Sequence, residues 1–99
     1  MKELTQRPDP AELLEAFVAS KRSEPAFAAL VGSLGDLVYA SALRRMQDRQ
    51  LAEEISQNVF AIMARKAESL RRHPALSAWV FETTRLETAH IMRSEQRHK

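Results

Sequence analysis

The sequence predicts an all-α domain, a compact bundle of four helices, and three observations carry that reading. Apolar residues recur at spacings of three and four along most of the chain. Only two glycines, Gly32 and Gly35, and four prolines interrupt 99 residues, and no β-branched run resembles a strand. Residues suited to cap a helix stand just before three of the periodic stretches: Asp9, Ser23 and Asp48.

Taken in order, residues 1–9 read as a flexible N-terminus, and Asp9-Pro10 as a cap followed by proline at the first helical position. The first helix is expected to run to about Arg22. Leu13, Leu14, Phe17 and Val18 form its apolar stripe, and Lys21 and Arg22 suit its C-terminal dipole. Ser23-Glu24-Pro25 opens a second helix reaching about Met46, with Phe27, Leu30, Val31, Leu34, Leu37, Val38, Ala42 and Leu43 inward. Gly32 and Gly35 each weaken it by about 1 kcal/mol relative to alanine and suggest a kink or close helix packing. One long helix with a soft spot is the first reading; two helices broken near Ser33 is the alternative.

Asp48 caps a third helix expected to continue to about Leu70, with Leu51, Ile55, Val59, Ile62 and Met63 on one face. Acid in its first turns and base in its last suit the dipole. Pro74 disfavours a helical His73 and stops it. Ser77 then reads as the cap of a last helix, Ala78 to about Arg97, with Trp79, Val80, Thr83, Leu86 and Ile91 as an interrupted stripe. Phe60 and Tyr39 read as core.

Composition narrows the function. With no cysteine, disulfides and Cys-based zinc or redox chemistry are excluded. No apolar run is expected to approach the roughly 18 residues of a membrane span, and the polar start has no signal-peptide core, so a cytoplasmic protein is expected. The net charge of +2 is unevenly placed. Residues 1–64 carry seven Lys/Arg against nine Asp/Glu, whereas residues 65–99 carry eight against four and all three His. The basic part is suited to phosphate.

No catalytic constellation is visible, so an enzyme is not expected. His73, His90 and His98 lack helical partners for a metal site, and adjacent Glu53 and Glu54 point in different directions. No cofactor is implied. The face Glu53, Glu54, Gln57, Asn58 offers short fixed hydrogen-bonding groups in place of the usual lysines. The stretch Arg71-Arg72-His73 lies between two helices, and Arg85, Arg93 and Arg97 follow on the last one, close to one face. Such a face can track a phosphate backbone. Trp79 reads as a core anchor, and its place near the loop also suits stacking on a base outside the duplex.

Three pieces in order resemble one family. AEEISQNVF, residues 52–60, resembles the Ala-Glu-Asp-hydrophobic-x-Gln-Glu-Val-Phe stretch of region 2 of bacterial sigma factors, nearest the extracytoplasmic-function branch. Leu37 to Arg44, LVYASALR, resembles the family's Val-Tyr-x-x-Ala-Leu-Arg helix. Pro74 to Arg85, PALSAWVFETTR, resembles its Pro-x-x-x-Trp-Leu segment. The resemblance spans roughly residues 10–97 and implies a domain with two tasks. The helix at Leu51–Arg65 would dock on the clamp helices of the polymerase β′ subunit through Glu53, Glu54, Gln57 and Asn58, with Arg44 and Arg45 at the rim. The loop and last helix would read the −10 promoter element and capture an extruded non-template base. That role falls by position on Arg71, Arg72, His73, Pro74, Trp79, Arg85, His90, Arg93 and Arg97. An anti-sigma factor is a further partner implied by the family. The alternatives are a helical protein-interaction module and a non-specific single-stranded nucleic-acid binder.

Departures from the pattern are Asn58 for an acid, Ala64 for a large residue, and Leu86 and His90 for Asn and Asp. The −35-reading region 4 is not found in the chain, and the basic end SEQRHK resembles the start of an interdomain linker.

Overall fold

A computed structural model describes residues 9–97 and shows five helices: α1 Pro10–Ala19, α2 Glu24–Met46, α3 Arg49–Arg65, α4 Ala67–Leu70 and α5 Leu76–Arg97. Helix α2 packs on α1, α3 and α5, and α3 packs on α5 as well. The expected flexible start lies outside the described residues, except that Asp9 caps α1. Three of the four expected caps form. The side chains of Asp9, Ser23 and Asp48 accept from the amides of Ala11 (3.2 Å), Ala26 (3.3 Å) and Leu51 (3.0 Å). Each satisfies a donor that a helix start leaves without a partner.

The core is one apolar cluster. Leu14 and Phe17 come from α1, and Leu30, Leu34, Val38 and Ala42 from α2. Ala52, Ile55, Val59, Phe60 and Met63 come from α3, Ala67 and Leu70 from α4, and Leu76, Val80 and Ile91 from α5. Phe27 joins three helices: its ring centroid is 5.3 Å from that of Phe17 and 6.4 Å from that of Phe60, the latter edge-on. Such pairs are preferred aromatic geometries.

Several expectations need correction. Helix α1 stops at Ala19 rather than near Arg22, because Lys21 and Arg22 are left-handed, with φ of 59° and 65°. They make the reversal that lets Ser23 cap the next helix. Arg22 then crosses to α3, where Nη1 donates to Ala64 O at 2.8 Å, while its guanidinium lies 5.1 Å from the Phe17 ring centroid. So its charge serves the end of α3, not that of α1. Helix α3 starts at Arg49, and Glu53 and Glu54 fall in its second turn, so its first turn is not acidic. It breaks at Lys66 (φ −102°, ψ 13°), and a separate turn, α4, makes five helices where four were expected. Arg22 satisfies one of the carbonyls at that break.

Helix α2 is unbroken, as in the first reading, but neither glycine marks close packing. A Cβ at Gly32 would meet nothing within 4 Å, and one at Gly35 only Val31 Cγ1 at 3.8 Å. Leu37, expected inward, is exposed. The expectation about membrane-length apolar segments also fails: α2 is long and apolar enough to cross a membrane, with mean hydropathy 1.6 over its best window. Its glycines and serines dilute the apolar run to the eye but hardly lower its hydropathy. In the fold it is the central helix, packed on three neighbours.

Helix α5 begins at Leu76, so Ser77 is not its cap. Its inward stripe is Leu76, Val80, Thr84, Thr88 and Ile91, and Leu86 is 51% exposed. The two threonines are admitted to the core because each hydroxyl donates to the carbonyl four residues back, Thr84 to Val80 and Thr88 to Thr84, both at 2.8 Å. A threonine whose hydroxyl is bonded this way can be buried whole at little cost.

Gly32→Ala is expected to raise unfolding free energy by about 1 kcal/mol, read by urea denaturation, since the site is mid-helix with open space around it.

Candidate functional site

Two surfaces hold the residues with chemistry to offer. The first lies on α3. Burial of Ala52, Ile55, Val59 and Met63 forces Glu53, Glu54 and Gln57 outward, while Asn58 is half-buried. Beside this face runs a groove between α2 and α3, with a volume of about 550 Å³. Phe27, Val31, Gly35, Tyr39, Phe60 and Ala64 give it an apolar lining, which Glu53 and Gln57 complete. Tyr39, read from sequence as core, is half-buried here and packs against the core from the groove. The Ser56 hydroxyl is also in this lining, buried and with no hydrogen-bond partner among the described residues. Arg44 and Arg45 are exposed in the last turn of α2, where cations suit the helix dipole.

The second surface is the turn between α4 and α5 with the outer side of α5. The turn is closed by backbone bonds from Arg71 to Ala67 O (3.1 Å), Arg72 to Ser69 O (3.3 Å) and His73 to Leu70 O (3.0 Å). His73 Nδ1 accepts from the Ala75 amide at 3.0 Å, which requires that nitrogen to be unprotonated and fixes the ring against the start of α5. Arg72, His73 and Pro74 are exposed. Arg71 is held: Nε and Nη2 donate to the two carboxylate oxygens of Glu15 at 3.0 and 2.7 Å, and Nη1 reaches Glu68 at 3.3 Å.

On α5, Trp79 is half-buried against the core, as the anchor reading expects. Arg85, His90 and Arg93 are exposed. Arg85 is engaged by Glu82 one turn back, through Nε at 3.2 Å and through Nη2. Arg93 has no ion pair among the described residues. Arg97 ends the helix, and its side chain lies outside what is described. Of the expected cations whose side chains are described, Arg71 and Arg85 are held by carboxylates, whereas Arg72 and Arg93 make no ion pair among the described residues. Sequence reasoning missed the exposed apolar residues of α5: Phe81 and Leu86, and Met92, which lies beside Met46, Gln47 and Leu51 at the junction of α2 and α3. A check of each residue's position against the stripe through Val80 and Thr84 would have found them. The Glu82–Arg85 spacing of three was also visible in the sequence. The pairing of Glu15 with Arg71, 56 residues apart, was not. Among the described residues, no three His, Asp or Glu side chains converge as metal ligands.

The ion pairs tune their own carboxylates. The hydrogen bond from Arg71 holds the Glu15 carboxyl below its ordinary value of 4.5, and that from Arg85 does the same for Glu82. In return Arg71 and Arg85 are raised by their carboxylate partners. With folded values depressed, the contribution is present above the unfolded value and is lost as pH falls through the folded one. Both pairs are exposed and their effect on stability is small. A carboxyl-carbon NMR titration is expected to place Glu15 below 4.5 in the wild-type domain and to return it toward 4.5 in Arg71→Ala.

Comparison with known proteins bears on this arrangement. No curated protein and no solved structure matches the chain. The family model of sigma-70 region 2 matches residues 30–98, which takes in most of α2 and all of α3, α4 and α5. Both surfaces fall within that span except for Glu15 and Phe27. Region 2 is a helical, non-catalytic domain that serves sigma factors in transcription initiation, with core RNA polymerase and promoter DNA as partners. The match covers more than half of the chain and the described fold is helical, as the family's is, so the chain belongs to the sigma-70 region 2 family.

Proposed function

We propose that residues 10–97 form the domain of a small sigma factor, of the extracytoplasmic-function branch, that docks on the β′ clamp helices and reads and melts the −10 element. A cytoplasmic setting follows from that role. The observation that carries the proposal is the separation of two unlike surfaces on one core. The acid-and-amide face of α3 lies beside an apolar groove, and uncommitted cations with exposed apolar groups lie at the turn and on α5.

On the first surface, Glu53, Glu54, Gln57 and Asn58 supply directed hydrogen bonds to a partner helix, with Arg44 and Arg45 at the rim. The groove accepts an apolar side chain, and a partner's polar atom reaching Ser56 would satisfy a hydroxyl that is buried with no partner among the described residues. An anti-sigma factor covering this same face would block polymerase access.

On the second surface, Arg72 and Arg93 draw the phosphates, with Arg97 extending the track and Arg85 joining when DNA displaces Glu82. His73 and Pro74 shape the turn against which an unstacked base is read. Trp79 supports it from below, and His90 faces the strand from α5. Flipping a base out costs on the order of a few kcal/mol, which phosphate contacts and polymerase docking must offset. Leu86 and His90, standing where the family has Asn and Asp, would give this chain its own base preference. A sequence-tolerant single-strand binder is the second reading, favoured by the exposed ring of Phe81, which can stack on any base.

Titration with fluorescent single strands at two salt concentrations separates the readings. The proposal expects preference for −10-like sequence and affinity that falls with salt; a salt effect without preference supports the second reading. Arg93→Ala is expected to weaken binding roughly three- to tenfold at low salt, with the helical circular dichroism intact. Unchanged affinity would remove α5 from the interface. Glu54→Ala with Gln57→Ala is expected to weaken capture by the isolated β′ clamp helices while DNA binding persists, and undiminished capture would remove α3.

A further inference from the structure

Helix α1 lies wholly outside the matched residues 30–98, yet it reaches directly into the promoter-reading turn. Glu15 projects from its exposed side and meets Arg71 in a two-pronged contact, Nε to Oε1 at 3.0 Å and Nη2 to Oε2 at 2.7 Å. Arg71 is the first residue after α4, and its amide closes the turn onto Ala67 O. Its third guanidinium nitrogen is occupied by Glu68. All three nitrogens therefore have carboxylate partners, whereas the adjacent Arg72 makes no ion pair among the described residues and faces solvent. A parallel fork-to-fork contact fixes both distance and orientation, which a single point charge cannot do.

We infer that Glu15 is a positioning residue for the −10-reading turn: it grips Arg71, and Arg71 serves as the tether between α1 and the turn, leaving Arg72 to meet the nucleic acid. The inference rests on the promoter-reading assignment for its consequence, but the tether itself is a property of the free domain. The geometry favours a tether over a phosphate ligand because DNA binding through Arg71 would require breaking contacts to two carboxylates. It would also leave Glu15 and Glu68 beside the phosphates. The grip is surface-exposed, so it orients the turn and contributes little to holding the fold.

The test is a double-mutant cycle of Glu15→Ala and Arg71→Ala in the whole chain, with two readouts. Amide exchange by NMR at Arg71, Arg72 and His73 is expected to quicken by a similar factor, roughly two- to fivefold, in either variant. No further change is expected in the double variant, and Val59 should follow only global stability. DNA affinity is expected to fall by about the same factor in each single variant and no further in the double. Two results would overturn the inference. One is unchanged exchange at the turn in Glu15→Ala. The other is tighter DNA binding in Glu15→Ala alongside weaker binding in Arg71→Ala, which would make Arg71 a ligand restrained by Glu15. If the wild-type chain binds no DNA, the promoter-reading assignment fails by itself, and the exchange arm still decides the tether.

Discussion

The structure depends on the buried stripe of α3. Ala52, Ile55, Val59 and Met63 have no solvent exposure and are the surface on which α2 and α5 meet. Burying an Ile, Val or Met side chain is worth about 1.5–3 kcal/mol each, against about 0–1 kcal/mol for an exposed ion pair. The apolar stripe therefore sets where the helices lie, and the ion pairs adjust what is displayed on them. Once Ile55 and Val59 are inward, helical geometry leaves Glu53, Glu54 and Gln57 no choice but to face out. The polar face of α3 is a consequence of its core.

The same logic produces the basic surface, with an added electrostatic selection. The turn and α5 carry many cations, but carboxylates from the fold itself engage two of them. Glu15 and Glu68 hold Arg71, and Glu82 holds Arg85. Among the described cations of this surface, Arg72 and Arg93 make no ion pair, and Phe81, Leu86 and His90 are exposed on α5. A surface of a few free cations and exposed apolar groups is suited to a single strand, where phosphates and base faces are both accessible.

Much of this was legible in the sequence, where the determinants are local. The caps at Asp9, Ser23 and Asp48 and the stripe through Ile55, Val59 and Met63 depend on neighbours within a turn or two, and they formed as expected. The misses have non-local or compensated causes. The end of α1 was misplaced because Lys21 and Arg22 adopt left-handed conformations that a glycine would normally supply, and Arg22 finds its partners on α3 and on Phe17. The stripe expected through Thr83 and Leu86 is displaced on α5, where Thr84 and Thr88 return their hydroxyls to their own helix and take the buried positions. The groove beside α3 depends on the distance between two helices, and the Glu15–Arg71 grip on the return of the chain after 56 residues. Neither leaves a local signature.

We propose that one core presents two separate surfaces, of which only one meets DNA. Amide chemical-shift mapping of the free domain during addition of a −10-like single strand tests it most directly. The account predicts shifts at Arg72 and His73 and along the outer side of α5 around Leu86, His90 and Arg93, with the amides of Glu53 to Asn58 unmoved. Shifts centred on Glu53 to Asn58, with the turn and α5 silent, would contradict it.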